Sequence, residues 1–266
     1  MRTAIVLLTV MVALVVGSGV ALAAVITCPT GPGGECQGTQ LADQITGTIG
    51  VDQIYALGGD DSVQAGGGAD FMKGGSGADT MYGEEGNDKV GGFTGNDYFD
   101  GGVGNDRLSG GDGEDEIHGK EGDDIDLDGD QKIDKIYGED GNDLELDGDG
   151  GDDLLYGGPG DDGGAPTSDN LRNRGLRGEG GQNQVYGEGG ADTIDAQTAV
   201  DREGAPEQIF GGDGDDTITA ADGVQDEIDC GPDLHDTVVS HDSGLDMMVP
   251  GTCETTIPAS AAVVGN

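Results

Sequence analysis

Ten aspartates, from Asp43 to Asp124, stand nine residues apart without interruption. In the clearest part of that run, Gly74 to Leu127, the chain reads GGSGADTMY, GEEGNDKVG, GFTGNDYFD, GGVGNDRLS, GGDGEDEIH and GKEGDDIDL. Positions one and four of these blocks are Gly, and position six is Asp. Position eight is apolar in all but the last, where Asp126 breaks the column. Glycines allow tight turns at positive φ where no side chain fits. Their bare carbonyls, together with a carboxylate, make a hard, anionic, all-oxygen site. Ca²⁺ favours such a site, taking about six to eight oxygens in tolerant geometry, whereas Mg²⁺ demands a tighter octahedron. No Cys or His recurs with the period to suit a softer metal.

The elements that must position these aspartates follow from the rest of the block. The three residues after each Asp put one apolar side chain between two outward ones, as a very short half-buried strand does. Each nonapeptide is therefore a turn that holds metal and a strand that supplies core. A fixed period of this kind is the mark of a repeat architecture.

The blocks resemble GGxGxDxUx, the repeats-in-toxin (haemolysin-type) calcium-binding nonapeptide, and GGDGDDTIT at 211–219 is a full copy. The resemblance implies an all-β fold: a parallel β-roll, a right-handed β-solenoid with two nonapeptides per coil. It also implies Ca²⁺ between turns on the same side, held by turn carbonyls and by position-six aspartates of blocks 18 residues apart. Carried onto this chain, the metal-ligand candidates are Asp61, Asp70, Asp79, Asp88, Asp97, Asp106, Asp115, Asp124, Asp143, Asp153, Asp162, Asp192 and Asp216. Asp43 and Asp52 lie in blocks that lack most of the glycines and are expected to build coil without completing a site.

After Asp124 the pattern inverts to Ile125-Asp126-Leu127, and Leu144-Glu145-Leu146 repeats it 19 residues later. Both run into Asp-Gly-Asp, at Asp128-Gly129-Asp130 and Asp147-Gly148-Asp149. One coil plus one inserted residue predicts that these motifs stack on one side. DLDGDQKID (126–134) resembles the start of an EF-hand loop, but Gly129 and Tyr137 stand where that loop needs other residues. Asp128 and Asp130 are thus either an extra Ca²⁺ site within the roll or a solvated acidic bulge. Asn183 replaces the position-six Asp in GEGGQNQVY, and beyond Ile218 the spacing loosens to Asp226 and Asp236.

The totals agree with this reading. Among 266 residues there are 56 Gly, no Trp, and 54 acidic against 11 basic side chains, for a net charge of −43. An acidic disordered tract has a similar composition but keeps no apolar residues in register. Such a charge disfavours nucleic acid and anionic membrane as partners and makes calcium ions the natural ones. Residues 1–24 begin with Arg2, continue apolar and end in Ala21-Leu22-Ala23, as a cleavable signal peptide does, so the chain is expected to be secreted, with no integral membrane segment after signal removal. An uncleaved anchor is the alternative. Cys28, Cys36, Cys230 and Cys253 read as disulfides in an exported chain. Three pairings exist, and locality favours Cys28–Cys36 and Cys230–Cys253, one at each end of the array.

The expected organisation is a signal peptide (1–23), a disulfide cap (24–37), a main calcium-binding roll (38–162), an inserted loop (163–177), a second roll segment (178–240) and a C-terminal cap and tail (241–266). The loop carries Arg172, Arg174 and Arg177, which either dock an acidic partner or fold back on the acidic rod. Of the three histidines, His118, His235 and His241, the first two lie within or beside repeat blocks, and no serine sits in a nucleophile elbow, so no enzyme is expected. Two roles remain: a structural or matrix module, and a calcium-dependent adhesin or cell-surface interaction rod with an unknown partner.

Overall fold

The computed structural model describes residues 24–29, 34–163, 175–196, 207–220, 224–232, 235–241, 246–249, 253 and 255–258. Residues 1–23, most of the inserted loop (164–174) and the second loop at 197–206 lie outside the described residues, and so do the readings made on them.

Each nonapeptide forms one short strand, and successive strands alternate between two sheets. Thr80–Glu85 pairs in parallel with Tyr98–Val103 two blocks on, while Lys89–Thr94 between them pairs with Arg107–Asp112 in the opposite sheet. The described residues give twelve strands in each sheet, all joined in parallel. The chain is a β-solenoid with two nonapeptides per coil.

The period of two along each strand places position eight inside. One sheet contributes Ile45, Val63, Met81, Phe99, Ile117 and Ile136 in register, and the other Ile54, Met72, Val90, Leu108, Leu127 and Leu146. All are buried. The inverted motifs keep this core through an insertion. Arg107 pairs with Asp126 and Leu108 with Leu127, so the extra residue precedes the strand and Leu127 fills position eight. Leu127 then faces Leu146, and Asp128 faces Asp147, stacking the two Asp-Gly-Asp motifs as their 19-residue spacing predicts. Disulfides join Cys28 to Cys36 and Cys230 to Cys253, near the two ends.

On the outer face of the first sheet, His118, Tyr137, Tyr156, Tyr186 and Phe210 stack in consecutive coils, with ring centroids 4.6–5.2 Å apart. Coil spacing of about 4.8 Å matches the thickness of a stacked ring pair, so this column adds attraction along the solenoid axis.

Position two has positive φ in every coil of the central array, yet several coils place a side chain there, including Glu84 (φ 72°) and Phe93 (φ 82°). An L-residue pays about 1–2 kcal/mol for that conformation. Glu84→Gly is expected to raise stability by up to about 1 kcal/mol, net of the extra freedom Gly gains in the unfolded chain. The check is the thermal midpoint at saturating Ca²⁺; a lower midpoint contradicts it.

Candidate metal centre

One turn shows how the site is built. In the block Gly92–Asp100, Gly95 takes φ 135° and reverses the chain, and Asp97 turns inward to become 3% exposed. Its Oδ1 accepts the backbone N–H of Asp79, one coil back, at 2.7 Å. Its own N–H donates to Asp115 Oδ1, one coil forward, at 2.7 Å. Its Oδ2 is buried and has no hydrogen-bond partner.

That oxygen points at Gly92. A Cβ on Gly92 would collide with Asp97 Oδ2 and with the carbonyl oxygen of Gly110 in the next coil. Position one is therefore Gly because two oxygens converge where a side chain would stand. The same convergence recurs with Asp88 and the Gly101 carbonyl at Gly83, with Asp106 and the Gly119 carbonyl at Gly101, and with Asp192 and the Gly211 carbonyl at Gly187. A buried carboxylate oxygen left without a donor is costly. Repeated down a solenoid, it marks a place for cations.

The aspartates form two continuous files, one at each edge of the roll. Along one edge the N–H to Oδ1 bond links Asp43, Asp61, Asp79, Asp97, Asp115, Asp134 and Asp153 in order. Along the other it links Asp52, Asp70, Asp88, Asp106, Asp124, Asp143, Asp162, Asp192, Asp216 and Asp236. All thirteen position-six candidates thus lie in the files. Their 18-residue separation holds early and becomes 19, 20, 24 or 30 where residues are inserted, without breaking the chain of bonds.

Burial dominates the electrostatics. It pushes the carboxyl groups of Asp88, Asp97, Asp124 and Asp143 up to about 7, with neighbouring aspartates adding to the rise and the backbone N–H opposing it. Asp162 reaches about 8 for the same reasons. The N-terminal blocks differ. Asp43 has both oxygens engaged, Oδ1 by Ala24 N–H at 2.9 Å and Oδ2 by Thr39 N–H at 2.6 Å. In Asp52 the Thr48 N–H engages Oδ2 and leaves Oδ1 without a partner.

The files also contain Asp134, Glu207, Asp226 and Asp236, which the sequence reading did not name as site residues. Asp134 is wholly buried, and its Oδ2 is unpartnered beside Gly129. GDQKIDKIY (129–137) is therefore a nonapeptide in which Lys132 takes φ 80° in place of the position-four Gly, and not the middle of an EF-hand-like loop. The signal was present: Gly, Asp and an apolar residue at Gly129, Asp134 and Ile136, in the spacing of every other block.

Asp128 and Asp130 lie outside the files, on the outer face of the second sheet. Carboxylate oxygens of Asp128, Asp130 and Asp149 come within 4.8 Å of one another, and so do those of Asp147, Asp149 and Glu179. Burial and these neighbours push Asp128 up to about 7. Arg177, one coil below Asp147, pairs with Asp147, with Glu145 at 3.0 Å and with Glu179 at 3.2 Å. Of the inserted loop's arginines, this one folds back on the rod.

A parallel β-roll whose edges carry buried carboxylate files over glycine cradles defines a calcium-binding β-solenoid. The chain belongs to the RTX calcium-binding nonapeptide repeat family, whose pattern matches residues 37–72, 55–90, 91–126, 126–144, 145–163, 176–201 and 206–224. Comparison with curated proteins returned no match. The donor set fits the ion, since unpartnered carboxylate oxygens and backbone carbonyls are the oxygen ligands that Ca²⁺ takes.

Proposed function

We propose that this chain is a secreted calcium-responsive structural rod, which folds as Ca²⁺ fills the two edge files. The unpartnered Oδ2 atoms carry this reading; they lie over glycine cradles throughout except at Asp61 and Asp70, where Ala56 and Ala65 hold position one. The ligands are Asp61, Asp79, Asp97, Asp115, Asp134 and Asp153 on one edge. On the other they are Asp70, Asp88, Asp106, Asp124, Asp143, Asp162, Asp192 and Asp216. Asp128 and Asp130, with Asp149, form a further cation site on the outer face. Export rests on the apolar N-terminus and on the two disulfides, which persist in oxidising compartments. Calcium concentrations outside the cell then keep the rod folded after secretion, in a structural or matrix role. Display of loops to a cell-surface partner is the alternative role; a pull-down from the producing cell's surface with and without Ca²⁺ separates the two.

Selectivity tests the site. Carbonyls fixed by stacked coils are spaced for the larger ion and do not contract to an octahedron. Ca²⁺ is expected to fold the chain with a midpoint of about 10⁻⁴–10⁻³ M, the range of extracellular calcium modules. Mg²⁺ at the same concentration is expected to leave it unfolded by circular dichroism. Equal folding by the two ions contradicts the assignment.

A further inference from the structure

Asn183 stands in the file below Asp153 but does not repeat its chemistry. Its Oδ1 accepts the Asp153 N–H at 2.8 Å, and its Nδ2 donates to Glu207 Oε1 in the next coil at 3.2 Å. The orientation of the amide is fixed by its neighbours, because the Asp153 N–H is a donor and needs the oxygen. A Cβ on Gly148 would meet Asp153 Oδ2, whereas one on Gly178 would meet Asn183 Nδ2. The cradle that elsewhere presents an oxygen here presents amide hydrogens, which repel a cation. Beside it the outward side chains are stitched across the same coils, Gln184 Nε2 to Gln208 Oε1 at 2.9 Å and Gln208 Nε2 to Glu227 Oε2 at 3.1 Å. On the opposite edge the same coil keeps the ordinary arrangement, with Asp192 Oδ2 unpartnered beside Gly187 and the Gly211 carbonyl.

We propose that Asn183 is a metal-free clamp, a side-chain hydrogen bond to Glu207 standing where neighbouring coils take Ca²⁺, so that the ion file of this edge ends at Asp153. The proposal rests on the calcium reading of the position-six carboxylates. Along this edge, coupling between ions stops at Asp153, while the opposite file runs on through Asp192 and Asp216.

The test counts Ca²⁺ bound per full-length chain after equilibrium dialysis at saturating Ca²⁺, with folding checked by circular dichroism. N183A is expected to bind as many ions as the wild type, N183D one more, and D97N one fewer. Where N183D alone does not fold, N183D with E207Q removes the facing carboxylate and is expected to gain the same ion. Loss of an ion in N183A, or no gain in folded N183D or the double variant, overturns the clamp. If D97N also keeps every ion, the calcium reading of the files has failed; if D97N loses one, the clamp alone has failed.

Discussion

In chelator at pH 7.5 the chain is expected to lose its β-type circular dichroism, and Ca²⁺ is expected to restore it. Coils stack about 4.8 Å apart. Two ionised carboxylates at that distance repel by about 0.9 kcal/mol in water and by several-fold more at lower dielectric. Each file repeats this repulsion down the roll, and each buried Oδ2 adds an unmet desolvation cost. One apolar side chain per block does not offset these terms, so the binding free energy of the metal becomes folding free energy.

Protons are expected to substitute for the metal in part. Burial raises the carboxyls of Asp79, Asp97 and Asp162 from an ordinary 3.8 to about 6, 7 and 8 in the folded roll. A group whose folded value is raised contributes stability that is complete below its unfolded value, near pH 4, and is lost as pH rises through its folded value, near pH 7. The metal-free chain is therefore expected to gain β-structure as pH falls from 7.5 to about 5. Because protons and Ca²⁺ compete for the same oxygens, the Ca²⁺ concentration that half-saturates binding is expected to rise as pH falls, while the Ca²⁺ needed for folding is expected to fall. A metal-free chain that is fully β-structured at pH 7.5, or a half-saturating concentration indifferent to pH, refutes this account.

Much of the architecture is legible in the sequence, because the nine-residue period sets coil length, core column and carboxylate file together. Reading fails where backbone geometry outlasts its sequence signature. Position four takes positive φ in most blocks, usually with Gly, but Lys132 adopts φ 80° and the turn survives. With that Gly gone and one residue inserted after Asp124, the block around Asp134 loses two of its markers, yet its carboxylate occupies the file unchanged. Glu207 is harder still. It follows a loop, has no position-one or position-four glycine, and is longer than Asp, so only its distance to Ile209 marks it. Inserted residues hide the register from a linear reading, although strand pairing is kept across them. The pairing of Leu155 with Val185 across the inserted loop is such a case.

Asp97→Ala and Phe99→Ala, two residues apart, are expected to fail in different ways. Asp97 supplies a carboxylate oxygen to the cradle at Gly92 and accepts the Asp79 N–H, whereas Phe99 is fully buried in the core column. Removing the carboxylate is expected to raise the Ca²⁺ needed for folding and to lower the number of ions bound. Removing the ring leaves a cavity in a narrow core, at a cost of about 3–5 kcal/mol. It is expected to lower the denaturation midpoint at saturating Ca²⁺ without changing the bound count. Asp43→Ala is the discriminating control. Asp43 is as buried as Asp97 and belongs to the same file, but both its oxygens already accept backbone N–H groups. Its loss is expected to cost stability through those hydrogen bonds and no ion. An Asp43→Ala chain that loses as much bound Ca²⁺ as Asp97→Ala would show that burial in the file alone makes a ligand, and that the unpartnered oxygen over a glycine cradle does not.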